Sequence, residues 1–147
     1  VLAARGFVRR FAAFVYVFGL WDLFYYFWLK VYLGWPAQWL EWDILFLIPW
    51  PWFGPWLAPA LIALLFALWG GWVLATPDEL RLRPTNALLF VAGALLALAA
   101  FLAPAWPLLA GGAAAFHDWM PGTFAWPLYG TGLTGMAVAL LRVVRAR

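Results

Sequence analysis

Few side chains in this sequence could do chemistry. The 147 residues include six acidic residues, one histidine, no cysteine and no serine. Without Cys there is no disulfide, no thiolate nucleophile, no iron–sulfur cluster and no covalently attached c-type haem. With Ser absent as well, the commonest covalent catalysts are missing. A single His cannot supply both axial ligands of a haem, and no cluster has metal-ligand spacing. No glycine loop is built to cradle phosphate. The expectation is a protein that is not an enzyme and has no intrinsic cofactor. A tetrapyrrole or quinone at one face stays open.

Three places could still carry function. Asp22 stands in an apolar run, with Tyr25 and Tyr26 one helical turn on and Lys30 two turns on. An intramembrane carboxylate costs about 3 kcal/mol on insertion scales and is a functional hypothesis by default. It would handle protons or contact a partner subunit. The competing reading is a hydrogen-bonded or protonated carboxylate that pins helix packing, since one carboxylate makes no relay. Glu41 and Asp43 flank Trp42. On a helix, positions i and i+2 diverge, so a polar edge on an amphipathic helix is expected rather than joint catalysis. His117 lies beside Asp118, Trp119 and Met120. It could ligate a tetrapyrrole, bind a metal shared with another chain or hydrogen-bond a quinone carbonyl. Against that stands an interfacial His facing water or a partner, with no second ligand in sight. A lipid-processing enzyme would need His117 with Asp118, joined by Glu41 and Asp43, and is the least favoured reading.

Composition dictates the elements that hold these residues. The chain is 68% hydrophobic and 10% charged, whereas a soluble domain is about 45–50% apolar and about 25% charged. There is too little polar surface to cover a water-soluble globule, and far too much apolar content for disorder. The expected fold is an all-α integral membrane protein forming a single transmembrane domain. A spanning helix needs about 20 apolar residues, and four stretches supply them: residues 11–32, 56–75, 87–103 and 124–141. Thr85 or Asn86 is placed to cap the third. With the N-terminus in the cytoplasm, Arg5, Arg9, Arg10, Arg81, Arg83, Arg142, Arg145 and Arg147 all fall inside and only Lys30 outside, as the positive-inside rule asks. Both termini are then cytoplasmic, and a bacterial inner membrane is the expected location. Val1 is not an initiator Met, so processing or further upstream residues are expected. The net charge of +3 forms no basic stripe, so no nucleic-acid partner is expected.

The two outer connections are hydrophobic themselves. Residues 44–74 carry no charge and are too long for one straight span at ~1.5 Å per residue. Pro49, Pro51, Pro55 and Pro59 divide them, because Pro-Trp-Pro-Trp-Phe-Gly-Pro cannot be regular helix. A short interfacial helix over residues 36–47 and then a proline-rich turn are expected, with a shallow re-entrant segment at 44–55 as the alternative. A second interfacial helix is expected around residues 112–119. Ten of the thirteen Trp fall at or near this outer side, including Trp39, Trp42, Trp50, Trp52 and Trp119. An aromatic belt explains them first. Contact with a partner or a flat ligand is the second task such a layer could serve. Gly93 with Ala97, and Thr131 with Gly135 beside Gly130 and Gly132, have the spacing of close helix packing. The first span is bulky on several faces, which suits lipid or a partner's groove.

Together these features point to an accessory subunit of a larger bacterial membrane complex, in respiratory or photosynthetic electron transfer. Its partners would be the lipid bilayer and other membrane subunits. The alternative is a stand-alone or homo-oligomeric protein that binds or transports a quinone, pigment or porphyrin.

Overall fold

The computed structural model describes residues 6–77, 80–117, 119 and 121–145. Four helices long and apolar enough to cross a membrane dominate them: α1 (Phe7–Leu33), α2 (Leu57–Ala75), α3 (Pro84–Leu102) and α4 (Trp126–Arg145). Each closes its own backbone hydrogen bonds, as lipid requires. Helix α1 takes in Arg9 and Arg10 and stops at Gly34, whose φ of 69° and N–H bond to the Lys30 carbonyl form a left-handed cap. The expected cap of α3 by Thr85 or Asn86 is corrected. Pro84 opens that helix after the extended Arg83, with no side-chain cap, because proline's fixed φ suits the first helical position. Asn86 turns inward instead and is buried.

The helices form two antiparallel hairpins, α1 with α2 and α3 with α4, joined by a narrower α2–α4 contact. Small residues allow each pairing. A Cβ on Gly93 would lie 2.6 Å from the Gly132 carbonyl oxygen, and one on Gly132 would lie 2.5 Å from that of Gly93. Gly19 meets the backbone of Ala63 and Ala67 in the same way. Backbones this close are held by dispersion, the main attraction between helices in lipid. Of the expected Thr131–Gly135 pair, Gly135 does lie against α3, beside Gly93 and Leu89, and Gly132 lies closer still, whereas Thr131 is exposed and donates to the Pro127 carbonyl.

Two buried aromatic donors tie the hairpins together. Tyr129 Oη on α4 donates to the Ala58 carbonyl of α2 at 2.6 Å, near one end of the bundle. Trp69 Nε1 on α2 donates to the Leu140 carbonyl of α4 at 3.0 Å, near the other. Each bond brings a polar tip onto a carbonyl that has a second lone pair to offer. Trp69 is thus an interior rivet and not part of an interfacial belt. Apolar clusters surround these bonds. Val8, Ala12, Val15, Val73 and Val143 gather at the end that carries Arg9, Arg10, Arg81, Arg83, Arg142 and Arg145. Ala58, Ala97, Ala100, Phe101 and Phe124 gather at the opposite end.

That opposite end holds the two long connections, and the first departs from expectation. Residues 36–47 do not form a helix. Strands β1 (Trp42–Phe46) and β2 (Trp52–Pro55) pair antiparallel, Asp43 opposite Gly54 and Ile44 opposite Phe53, with an irregularity between Ile44 and Phe46. Trp35–Pro36 and Ile48–Pro49 are cis peptides. The physical reason lies in the residues: Trp, Ile and Phe favour a half-buried pleated surface, and Pro49 and Pro51 deny helix to the segment that contains them. An isolated hairpin is marginal, and this one rests on helix ends. Gly54 lies against the Phe101 and Phe124 rings, where a Cβ would come within 2.8 Å of Phe101. The second connection carries two short 3-10 helices, Trp106–Gly111 and Ala113–Phe116. The helical turn expected near residue 112 is therefore tighter, and starts earlier, than anticipated.

Candidate functional site

Where the hairpin folds back over the bundle, it brings together two carboxylates that lie far apart in the chain. Asp22, on α1, and Asp43, on β1, line one cleft of about 360 Å³. Its walls are Trp21 and Tyr25 from α1, Trp52 from β2, Ile62 from α2 and Phe101 from α3. Tyr26 Oη donates to Asp43 Oδ2 at 2.8 Å, and the Ile44 N–H donates to Asp43 Oδ1 at 2.8 Å. Both oxygens of Asp43 are thereby held. Asp22 is half-buried, and no described residue hydrogen-bonds its carboxylate. Helical spacing makes Tyr26 a donor to Asp22; the structure gives that hydroxyl to Asp43. Lys30 is likewise not a partner of Asp22. Its Nζ donates to the Gly34 and Pro36 carbonyls at 3.2 and 2.7 Å, a cation set against the C-terminal end of α1.

This arrangement divides the labour between the two acids. Asp43 is part of the structure, since its bond from Tyr26 fastens the hairpin to α1. Asp22 presents an open acceptor to an apolar cleft. Charge in such a place calls for a proton, a cation or a hydrogen-bond donor from outside the chain. Glu41 takes no part. It bonds the backbone N–H groups of Ala37 and Gln38 and so closes the turn ahead of β1. The polar helix edge expected for Glu41 and Asp43 is replaced by a turn staple and a strand anchor, because the segment is a hairpin.

The tryptophans at this end mostly hold it together. Trp42 meets Phe124 edge-on at 6.1 Å. Trp50 Nε1 donates to the Leu102 carbonyl at 3.4 Å while its ring meets Trp106. Trp52 Nε1 donates to the Ile48 carbonyl at 2.9 Å and its ring meets Phe46 at 4.9 Å. Trp119 packs on Phe53 at 4.7 Å, which joins the second connection to the first. Trp39 differs: it stacks on Trp56 but is 74% exposed. It also lines a neighbouring cleft of about 470 Å³ with Lys30, Tyr26 and Phe27.

His117 follows the second 3-10 helix and is exposed. Asp118 and Met120 lie outside the described residues. A third cleft, about 350 Å³, approaches Asp43 from the other side, lined by Trp42, Phe116 and Trp119 but not by His117. Among the described residues no three His, Asp or Glu side chains come together as a metal site would need.

Sequence reasoning finds Asp22 and misses its meeting with Asp43. The tyrosine pair at positions 25 and 26 is the available signal, but it cannot say which acid a hydroxyl will reach. Comparison of the chain with protein-family models, with curated proteins and with solved structures finds no match in any of the three.

Proposed function

We propose that this chain is an accessory subunit of a larger membrane complex, docked along the outward face of α1. One observation carries the reading. Asp22 sits mid-helix with no acceptor-satisfying partner among the described residues, on the flank of a helix whose outward side is Phe14, Trp21, Phe24 and Trp28, each 47–61% exposed. Lipid tails offer an open carboxylate nothing, whereas a neighbouring helix can supply the donor or cation together with matching aromatic contacts. Trp and other aromatics concentrate at protein contacts. By the positive-inside rule the arginine-bearing end lies in the cytoplasm, which makes both termini cytoplasmic in a bacterial inner membrane. The aromatic content makes respiratory or photosynthetic electron transfer the setting we assign.

A second reading has its own observation. The cleft between Asp22 and Asp43 has the volume and ring-lined walls of a small-ligand site. A hydrophobic molecule bearing a donor or a cationic group would fit it without any partner subunit.

Photo-crosslinking distinguishes the two. A crosslinking residue at position 21 or 24 of α1 is expected to capture one protein at fixed stoichiometry. The same residue at position 91 or 95 of α3 should capture lipid alone. Asp22→Asn should reduce recovery of the assembly on a native gel. Lipid-only products from both helices, with unchanged behaviour of Asp22→Asn, would reject the subunit reading. Retention of a small hydrophobic cation by the isolated chain, lost in Asp22→Asn, would favour the second.

A further inference from the structure

A further cavity opens at the arginine-bearing end of the bundle, away from both acids. It measures about 230 Å³ and lies among the starts of α1 and α3 and the ends of α2 and α4. Phe11, Trp69, Phe90 and Leu140 form its depth, with Phe11 and Phe90 meeting edge to face at 5.5 Å. Its mouth is open, since Phe7, Leu82 and Val91 also line it and are 69%, 40% and 52% exposed. One lining residue does not belong in an apolar pocket. Asn86 is 5% exposed and, aromatic residues aside, is the one buried polar side chain among the described residues. No described residue hydrogen-bonds its amide. No fully enclosed polar atom among the described residues lacks a partner, and Asn86 meets that condition by opening onto the cavity.

A buried amide without a partner is costly, so the cavity asks for an occupant that brings one. Water is a poor candidate, because an ordered water needs two to four polar partners and this lining offers one side-chain amide. The occupant is apolar along most of its length and polar at one point. The mouth indicates its charge. Leu82 lies between Arg81 and Arg83, Val8 is followed by Arg9 and Arg10, and Val143 follows Arg142. Arg81, Arg83 and Arg142, each next in the chain to a lining residue, are exposed, and so is Arg10, two residues after Val8. Basic rims over apolar gaps between spanning helices suit anionic lipid headgroups.

We propose that this cavity is a binding site for an anionic phospholipid. One acyl chain lies against Phe11, Trp69 and Phe90, an ester carbonyl accepts from the Asn86 amide, and the phosphate sits among the rim arginines. The site is independent of the α1 docking face, and its test reads the isolated full chain.

The experiment compares phosphatidylglycerol with phosphatidylcholine of identical acyl chains, bound to the delipidated protein and counted by native mass spectrometry. One tightly held phosphatidylglycerol is expected, preferred about tenfold, as one or two arginine contacts near a membrane surface would give. Asn86→Leu should weaken both lipids about threefold or more. It should leave the lipid-free melting temperature unchanged or raised, because it removes an unpaired buried amide. Arg83→Gln with Arg142→Gln should bring phosphatidylglycerol down to the phosphatidylcholine level and leave the latter unchanged. Equal binding of the two lipids overturns the proposal. So does a full phosphatidylglycerol count in Asn86→Leu, a fall in its lipid-free melting temperature, or retention of a neutral quinone in preference to either lipid.

Discussion

Helix α1 leans on α2 through Val8, Ala12, Val15 and Gly19, and helix α3 leans on α4 through Gly93, Ala97 and Ala100. Each is one arm of a hairpin closed by glycine contact, and each turns its remaining surface outward. The outward surfaces differ in kind. That of α3 is aliphatic, with Leu88, Val91 and Leu95 each more than half exposed. That of α1 is aromatic, with Phe14, Trp21, Phe24 and Phe27 equally exposed, and its rings form a ladder: Phe14 on Phe18, Phe18 on Trp21, Trp21 on Tyr25, each step 6.2 Å. Internal packing imposes similar demands on both helices, so it does not account for the difference. On the proposed subunit reading, the surroundings of the chain do. An aliphatic face is matched to lipid tails, whereas rings deep in a span, next to an open carboxylate, are matched to something with shape and polarity.

The shared part of the comparison is the easiest to break. Gly132→Ala and Gly19→Ala should each destabilise the chain by about 1–3 kcal/mol, the cost of forcing atoms into a packed contact. In both cases the added Cβ meets backbone, which cannot rotate aside. Gly135→Ala, with its nearest contact at 3.5 Å, should cost little. Unfolding in mixed detergent micelles measures all three. Similar losses at Gly19 and Gly132 would show that the hairpins are closed by one device, and a tolerated Gly132→Ala would remove that premise.

The link between the hairpins comes next in size. Tyr129→Phe removes a buried bond to the Ala58 carbonyl without changing the ring contacts to Phe101 and Phe124. A loss of about 1 kcal/mol is expected, because the carbonyl keeps a second lone pair for its helical bond. The same unfolding measurement applies, and a neutral result would mean that the apolar cluster alone joins α2 to α4 at that end.

How much of this is legible in the sequence depends on the reach of each contact. The spans are legible because length and apolarity are local properties, and because arginines at positions 9, 10, 81, 83, 142 and 145 segregate to one end. The hairpin is not. Trp42 to Phe46 lacks a clear period of two, and its pairing with Trp52 to Pro55 depends on rings from α3 and α4 that a local reading does not see. Asn86 illustrates the same limit. Its position near a helix start suggests a cap, and only the arrival of α1, α2 and α4 around it makes it a buried amide in a cavity. Asp22 is conspicuous because a charge in an apolar run needs no context to stand out. Its cleft is invisible because one wall of it comes from a strand where local spacing predicts a helix.

The smallest expected effect on the isolated chain is also the one that tests the comparison most directly. Exchanging the two outward faces, with Leu at positions 14, 21, 24 and 28 of α1 and Phe at 88 and 95 of α3, touches side chains that are about half exposed or more. Surface changes of this kind ordinarily shift stability by no more than about 0.5 kcal/mol. Detergent unfolding should therefore barely register either exchange. If the α1 rings serve a partner, however, the α1 exchange alone should abolish comigration with other proteins on a native gel, and the α3 exchange should leave it intact. If the rings serve the fold, the α1 exchange will instead lower the unfolding midpoint of the isolated chain, because the ring ladder would then have been holding α1 straight. The unfolding midpoint falls under one account only, so a single pair of variants decides between an aromatic face made for a neighbour and one made for the helix itself.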